Sequence, residues 1–392
     1  MTEQNRFDII IAGAGAAGLS LLWRIMNSPV LRDQSVLLID QSFETKNDKT
    51  WCFWEDLNLP AGNLIYHSWK HLLVRIGGNI YSEPIKKYQY KCLKSGDFSG
   101  FILKEAEDNN RVSLLKANIQ NFTSNGQAGN VHTSKGDYQS KKIFQSVLKP
   151  PEFNNLKVDI SLIQHFLGME INASRHLFDP EVPVFMDFDV PQENGISFMY
   201  LLPFSKTRAL VEYTIFSNSL IEKKRYRKQI RSYLSTKYGL KKNSYSVERE
   251  EFGAIPMEDR KYPAKFCDFV WNIGTVGGLP KPSTGYTFNR IQKHSSAIIK
   301  ALESEKELPE NHLSPYRFRV YDLMMLYLLQ QEKNNALTAF ESLFKKNNFD
   351  HVLQFLAEES TLKQELAIFS KMPYPPFFRS IYNMKHRIFF RA

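Results

Sequence analysis

The chain has 392 residues, of which 43% are apolar and 13% aromatic, and 51 Lys and Arg against 41 Asp and Glu leave a formal charge of +10. That length suits two domains or one large fold with an insertion, and so high an aromatic content excludes a disordered chain. No window approaches the roughly 18 consecutive apolar residues of a membrane span, and no secretory signal opens the sequence, so a cytoplasmic protein is expected. Cys52, Cys92 and Cys267 are odd in number, far apart in sequence and never paired as Cys-x-x-Cys. Free thiols are therefore expected, with neither a disulfide framework nor a metal site.

Residues 7–12, Phe-Asp-Ile-Ile-Ile-Ala, have the continuous apolar character of a strand buried on both faces. Gly13-Ala14-Gly15-Ala16-Ala17-Gly18 follows directly, then a helix from Leu19 to Met26 and a second strand from Val36 that ends on Asp40. In this strand-GxGxxG-helix context, Gly13 permits the tight turn, Gly15 lets backbone N–H groups approach a pyrophosphate, and Gly18 lets helix and strand pack closely. Asp40, at the end of the second strand, is placed to accept both ribose hydroxyls of an adenosine. The motif alone does not choose between FAD and a nicotinamide dinucleotide. Its N-terminal position and the long β-rich interruption that follows favour FAD.

From about residue 46 to 150 the pattern is mixed, with a Trp-rich loop at Trp51 to Trp54. Residues 184–190, 196–202 and 208–216 read as a β-meander, residues 219–242 as a basic helical insertion, and residues 273–285 as a Gly-rich segment opening a helix at about 286. The remainder is helical. Glu212 falls mid-strand between Val211 and Tyr213, on the same face as Leu210, Thr214 and Phe216. From the strand alone, it either faces solvent, pairs with a lysine, or is a buried carboxyl raised into the range of a general acid.

Several blocks, taken in order, resemble the flavoprotein lycopene cyclases of carotenoid synthesis. They are Asp48-Lys49-Thr50-Trp51-Cys52-Phe53-Trp54, Gln164-His165-Phe166-Leu167-Gly168, Met186-Asp187-Phe188-Asp189, Tyr200-Leu201-Leu202-Pro203-Phe204-Ser205, Leu210-Val211-Glu212-Tyr213-Thr214, and Gly274-Thr275-Val276-Gly277-Gly278 with Pro282-Ser283-Thr284-Gly285-Tyr286. The resemblance runs from residue 7 to about 300. It implies an α/β fold with an FAD-binding, Rossmann-like part of the glutathione-reductase and p-hydroxybenzoate-hydroxylase type, an inserted antiparallel β-sheet substrate domain and a helical C-terminal region. The expected division is residues 1–160 with 245–305 for FAD, 161–244 with part of 65–100 for substrate, and 306–392 for the helices.

The same resemblance implies acid–base isomerisation of the acyclic ends of lycopene, or a related acyclic carotenoid, to β-rings. FAD would be bound in reduced form, with NAD(P)H as reductant and no net redox change. Glu212 would be the general acid, and Asp187 and Asp189 would orient it or take the departing proton; capping or pairing with Arg208 is their alternative. Gly274, Gly277, Gly278, Thr284 and Gly285 join Gly13, Gly15, Gly18 and Asp40 as cofactor-binding residues. Trp51, Trp54 and Tyr286 are candidates to stabilise a carbocation, against an ordinary place in the core. Two departures stand out: Gly274-Thr275 replaces the Gly-Asp of many FAD enzymes of this fold, and Glu212 is followed by Tyr213 where some members carry a second acid.

A flavin monooxygenase acting on an apolar isoprenoid and a flavin-containing binding protein without turnover are the other readings. In the last 22 residues, Lys371, Arg379, Lys385, Arg387 and Arg391 are interleaved with aromatics such as Tyr374, Phe378, Tyr382 and Phe390 and meet no acid. That composition suits contact with an anionic membrane surface, where such a substrate would dissolve and other carotenoid enzymes would be neighbours. No nucleic-acid module accompanies the charge.

Overall fold

The computed structural model describes residues 5–55, 59, 64–310 and 314–389. A six-stranded sheet in the order β18-β19-β12-β1-β2-β8 is parallel except at its β18 edge. It comprises β1 (Ile9–Ala12), β2 (Val36–Asp40), β8 (Val112–Lys116), β12 (Ile143–Gln145), β18 (Lys265–Cys267) and β19 (Val270–Asn272). Every β1 side chain is fully buried because both faces are covered. Ile9 and Ile11 pack under α1 (Ala16–Met26), α2 (Ser95–Glu107) and α4 (Phe288–Glu303). Ile10 and Ala12 pack under an antiparallel sheet of β9 (Ile119–Ser124), β10 (Gly129–Thr133) and β11 (Gly136–Ser140).

The second large sheet runs β17-β13-β16-β15-β14-β5-β6 and is antiparallel except where β14 meets β5. Its strands are β5 (His71–Ile76), β6 (Asn79–Pro84), β13 (Ser161–Ala173), β14 (Val184–Asp187), β15 (Ile196–Pro203), β16 (Arg208–Ser217) and β17 (Tyr245–Glu258). Because β17 pairs along the whole of β13, this sheet reaches past the expected limit of residue 244.

One face of the sheet is covered by α3 (Lys223–Tyr238), the basic insertion. Its Tyr226, Ile230, Tyr233 and Leu234 point inward while Lys and Arg stay on the solvent side. Period-two alternation divides β16 between the faces: Ala209, Val211, Tyr213 and Ile215 turn toward α3, and Leu210 and Phe216 turn the other way. Glu212 therefore shares the second face. That face is roofed by α5 (Tyr316–Gln331), α6 (Lys333–Lys346), α7 (Phe349–Leu356), α8 (Leu362–Phe369), α9 (Tyr374–Asn383) and α10 (Lys385–Phe389). A small sheet of β3 (Thr50–Phe53), β7 (Tyr90–Lys94) and β4 (His67–Trp69) joins the two halves. Among the described residues, no helix is long and apolar enough to cross a membrane.

Candidate active site

The turn from β1 into α1 has the geometry of an anion cradle. A Cβ on Gly18 would lie 1.9 Å from the Gly13 carbonyl oxygen, so only glycine lets the helix sit this close to the strand. A Cβ on Gly15 would meet nothing within 4 Å, which leaves that backbone open to a ligand. No side chain caps α1 and no acid occupies its first turn, so its leading N–H groups remain available to a phosphate. Asp40 ends β2 beside them, with Oδ2 accepting from Ala14 N at 2.6 Å and Oδ1 from Ser42 N at 3.0 Å.

The second Gly-rich segment comes to the same place: a Cβ on Gly274 would lie 3.0 Å from that of Ala17 in α1. Gly277 and Gly278 close the turn through their N–H groups to Gly274 and Thr275. The following loop, Pro282 to Thr287, is not yet helical, and α4 begins at Phe288, two residues later than the sequence suggests. Thr284 and Gly285 hold this loop by N–H bonds to Lys281. Gly285 passes so close to β13 that a Cβ would meet Gln164 Oε1 at 2.0 Å. Among the described residues that oxygen is buried without a hydrogen-bond partner, an unused acceptor beside the loop.

Under this loop lies a pair of carboxyl groups. Glu251 on β17 and Glu212 on β16 are both in register with Gly168 on the β13 strand between them. Because Gly168 has no side chain, the two glutamates meet over it; a Cβ there would sit 2.9 Å from Glu251 Cγ and 3.4 Å from Glu212 Oε2. The carboxyls share a hydrogen bond. Burial first, and then the Glu251 charge, push the Glu212 carboxyl well above the ordinary carboxylate range, and Thr214 Oγ1, donating to Oε1 at 3.0 Å, offsets little of this. Burial also lifts Glu251, and Arg249, Thr50 and the bond from Glu212 offset only part of that rise. Arg249 Nη1 and Thr50 Oγ1 reach Glu251 Oε2 at 2.5 and 2.9 Å. Glu212 is thus the more strongly raised of the two and the better place for a shared proton, while Arg249 and Thr50 favour charge on Glu251.

Arg249 is braced in turn by Glu170, two residues along β13, which lies 2% exposed among Arg249, Lys94 and Arg208. Burial alone would raise Glu170; Lys94 and Arg249 bring it below the usual range. Arg208 serves Glu170 and Glu248, so the alternative in which it pairs with Asp187 or Asp189 is not the arrangement seen.

Separating the pair has a direct readout. Gly168→Val inserts a branched side chain between the two acids, an overpacking that costs about 1–3 kcal/mol. The infrared C=O band of a protonated carboxyl is expected in the wild-type protein at neutral pH, absent from Glu212→Gln, and shifted or lost in Gly168→Val. A Gly168→Val band identical to that of the wild type would show that the pair does not depend on this gap.

Aromatic and thiol groups border the acid, which is itself only partly covered. Cys52, Tyr90, Tyr200 and Tyr286 interact with one another, and Tyr200 and Cys52 interact with Glu212. Burial pushes all three phenols upward, so each stays neutral. Trp54 meets Tyr286 edge-on at 5.0 Å while its Nε1 donates to Leu353 O. Trp51 faces away from Cys52 and stacks on Phe288 at 5.2 Å, as core packing under the first turn of α4. Cys52 and Cys92, distant in sequence, lie directly opposite each other on β3 and β7 as free thiols.

Asp187 and Asp189 are not brought to Glu212. Asp187 is fully buried on the α3 face, where Oδ2 accepts from Tyr233 at 2.8 Å and Arg75 at 3.2 Å. Asp189, beyond the end of β14, accepts from Gly78 N in the β5–β6 turn. The second carboxyl at the site is Glu251, which sequence reasoning missed. It sits in the charged run Glu248-Arg249-Glu250-Glu251, which has the look of a solvated strand. The available signal was Gly168, a glycine inside a long apolar strand.

Residues 8–382 match the family described as lycopene cyclase protein. The chain belongs to this family. A lycopene beta-cyclase of Pantoea ananas is 26% identical to this lycopene cyclase family member over 300 residues, 72% of each chain. A lycopene beta-cyclase of Pseudescherichia vulneris is 24% identical over 355 residues, 83% of this chain and 84% of that one. Among solved structures, a flavoprotein/dehydrogenase from Cytophaga hutchinsonii superposes with a TM-score of 0.61 at 12% identity, covering 97% of this chain and 100% of that one. The family member therefore has the α/β fold of the flavin-dependent oxidoreductases, with a parallel sheet and C-terminal helices.

Proposed function

We propose that this protein is a lycopene β-cyclase that closes acyclic ends of the polyene into β-rings by acid–base isomerisation, with Glu212 as the general acid. The observation that carries the reading is the meeting of Glu212 and Glu251 over Gly168, with Tyr200 beside Glu212 and the Glu212 carboxyl pushed well above the ordinary carboxylate range by burial and by Glu251. A raised pKa lets the carboxyl still carry its proton near neutral pH, and charge that stabilises the cation must then help it protonate so weak a base as a terminal double bond. Glu212 delivers its proton to that bond, the neighbouring double bond attacks the resulting cation, and a six-membered ring closes. Proton loss from the ring then gives the β-end.

Once its proton is gone, Glu212 and Glu251 together place negative charge beside the cation in a site of low dielectric. The neutral tyrosines and Trp54 add π-faces without competing for the proton. A Glu212 carboxylate next to Glu251 is a strong base, suited to recover the proton and close the cycle without net consumption.

The residues present fit FAD. The open backbone at Gly15 and the uncapped start of α1 would hold the pyrophosphate, Asp40 the ribose, and the segments Gly274 to Gly278 and Thr284 to Tyr286 the ring, with Gln164 Oε1 as a waiting acceptor. When bound and kept reduced by NAD(P)H, the flavin supplies further negative charge and no net electron transfer. Membrane contact belongs to the same proposal, in a form sharpened by the fold. Arg379 pairs with Glu332, Arg387 with Asp159 and Asp259, and Lys371 caps Lys346 O, so most tail cations tie the tail to the body. The outward surface of α9 is aromatic: Tyr374, Phe378 and Tyr382. Phe390 and Arg391 lie outside the described residues.

The test is expression in cells that accumulate lycopene, followed by chromatography of the pigments. Conversion to γ- or β-carotene is expected; lycopene left unchanged by well-expressed, flavin-loaded protein sinks the proposal.

A further inference from the structure

A cavity of about 330 Å³ lies within the C-terminal helices, walled by side chains such as Phe318, Met325, Phe340, Phe369, Met372 and Phe377. It has two distinct ends. At the inner end are Ser283 and Thr284, with Lys281 and Asp322 neutralising each other at 2.9 Å. The next residues of that loop are Gly285 and Tyr286, and Tyr286 meets Tyr200, the cross-strand neighbour of Glu212. At the outer end are Tyr374 and Phe378, 53% and 67% exposed.

The outer end opens on an unusual surface. Of the twelve large apolar side chains exposed among the described residues, six fall between 362 and 389: Leu362, Leu366, Tyr374, Phe378, Tyr382 and Phe389. The only acid in that stretch, Glu365, is buried against Arg317. An apolar cavity thus runs from an exposed apolar face to the loop that carries Tyr286. Nothing in the core requires it, since a void forfeits dispersion contacts and is normally filled.

We propose that this cavity is a binding site for a linear apolar chain, holding the part of an acyclic isoprenoid remote from its reacting end and admitting it through the α8–α9 face. The inference rests on the cyclase reading of Glu212 and extends it. A long rigid polyene cannot be contained in a chamber already packed with Tyr90, Tyr200 and Tyr286, so most of its length must lie elsewhere. Methionine and phenylalanine side chains adapt to such a chain without offering it polar groups.

The probe is cis-parinaric acid, a linear polyene whose fluorescence rises in apolar surroundings, titrated into the purified full-length flavoprotein. Binding of one molecule per chain is expected. Met325→Trp and Met372→Trp, which fill the cavity from opposite walls, are each expected to weaken it at least tenfold and to lower lycopene cyclisation in step, with flavin absorbance unchanged. If one variant fails to fold, the other carries the test. No binding by the wild type, or binding and cyclisation untouched by a folded variant, overturns the proposal. Probe binding that behaves as expected in a wild-type protein that leaves lycopene unchanged would instead sink the cyclase reading and leave the cavity a site for apolar chains.

Discussion

Glu212→Gln is expected to lower cyclisation by about 10²–10⁴-fold, the usual contribution of a positioned general acid, while the purified protein keeps its flavin. The substitution removes one proton and little else, since glutamine preserves the shape and still accepts from Thr214. The same change is expected to stabilise the fold. With the Glu212 carboxyl raised in the native protein, the unfolded chain ionises first as pH rises through the ordinary carboxyl range near about 4.3. Native stability therefore declines from there up to the native pKa, by about 1.4 kcal/mol for each pH unit in that window. Glutamine has no such proton to retain. Thermal melts of variant and wild type should nearly coincide below pH 4 and diverge at higher pH, with the variant melting higher. Retained activity would remove Glu212 from the mechanism, and a variant that melts lower at pH 8 would mark the residue as structural.

Glu251→Gln is expected to move the alkaline limb of the kcat/KM profile to lower pH. Its charge helps keep the Glu212 proton in place, and the acid form is required for turnover, so activity is present below the Glu212 pKa and lost as pH rises through it. Removing a close like charge lowers such a pKa by about 1–3 units, and the limb should follow. Turnover at its acid plateau should fall as well, because the cation loses a neighbouring negative charge. Arg249 retains Glu170 in the variant, so stability should suffer less than the about 3–5 kcal/mol typical of an orphaned buried charge. A profile that does not move would show that Glu251 leaves Glu212 untuned.

The cofactor half of the molecule was readable because its signals are local. An apolar run, three glycines at fixed spacing, a helix and a terminal Asp40 occupy one short stretch, and each requirement is met by backbone geometry within it. Glu212 was legible only in part: alternation put it on the face of Leu210 and Phe216 but left solvent, a lysine partner or a buried acid open, and the resemblance chose among them. What the alternation could not give was neighbours. Asp187 alternates in the same way, yet β14 presents it to α3, where Tyr233 and Arg75 satisfy it. Cys52 and Cys92 look unrelated in sequence and are cross-strand partners in the fold.

By itself, then, the sequence determined the strand–glycine–helix turn, the meander and the face on which Glu212 lies, all consequences of periodicity and short-range sterics. Only the tertiary structure decided that Glu251 meets Glu212, that Arg249 and Thr50 bind Glu251, and that the aromatic tail borders an apolar cavity. Those features depend on which strands lie side by side and in what register, and register is set by the burial of whole faces.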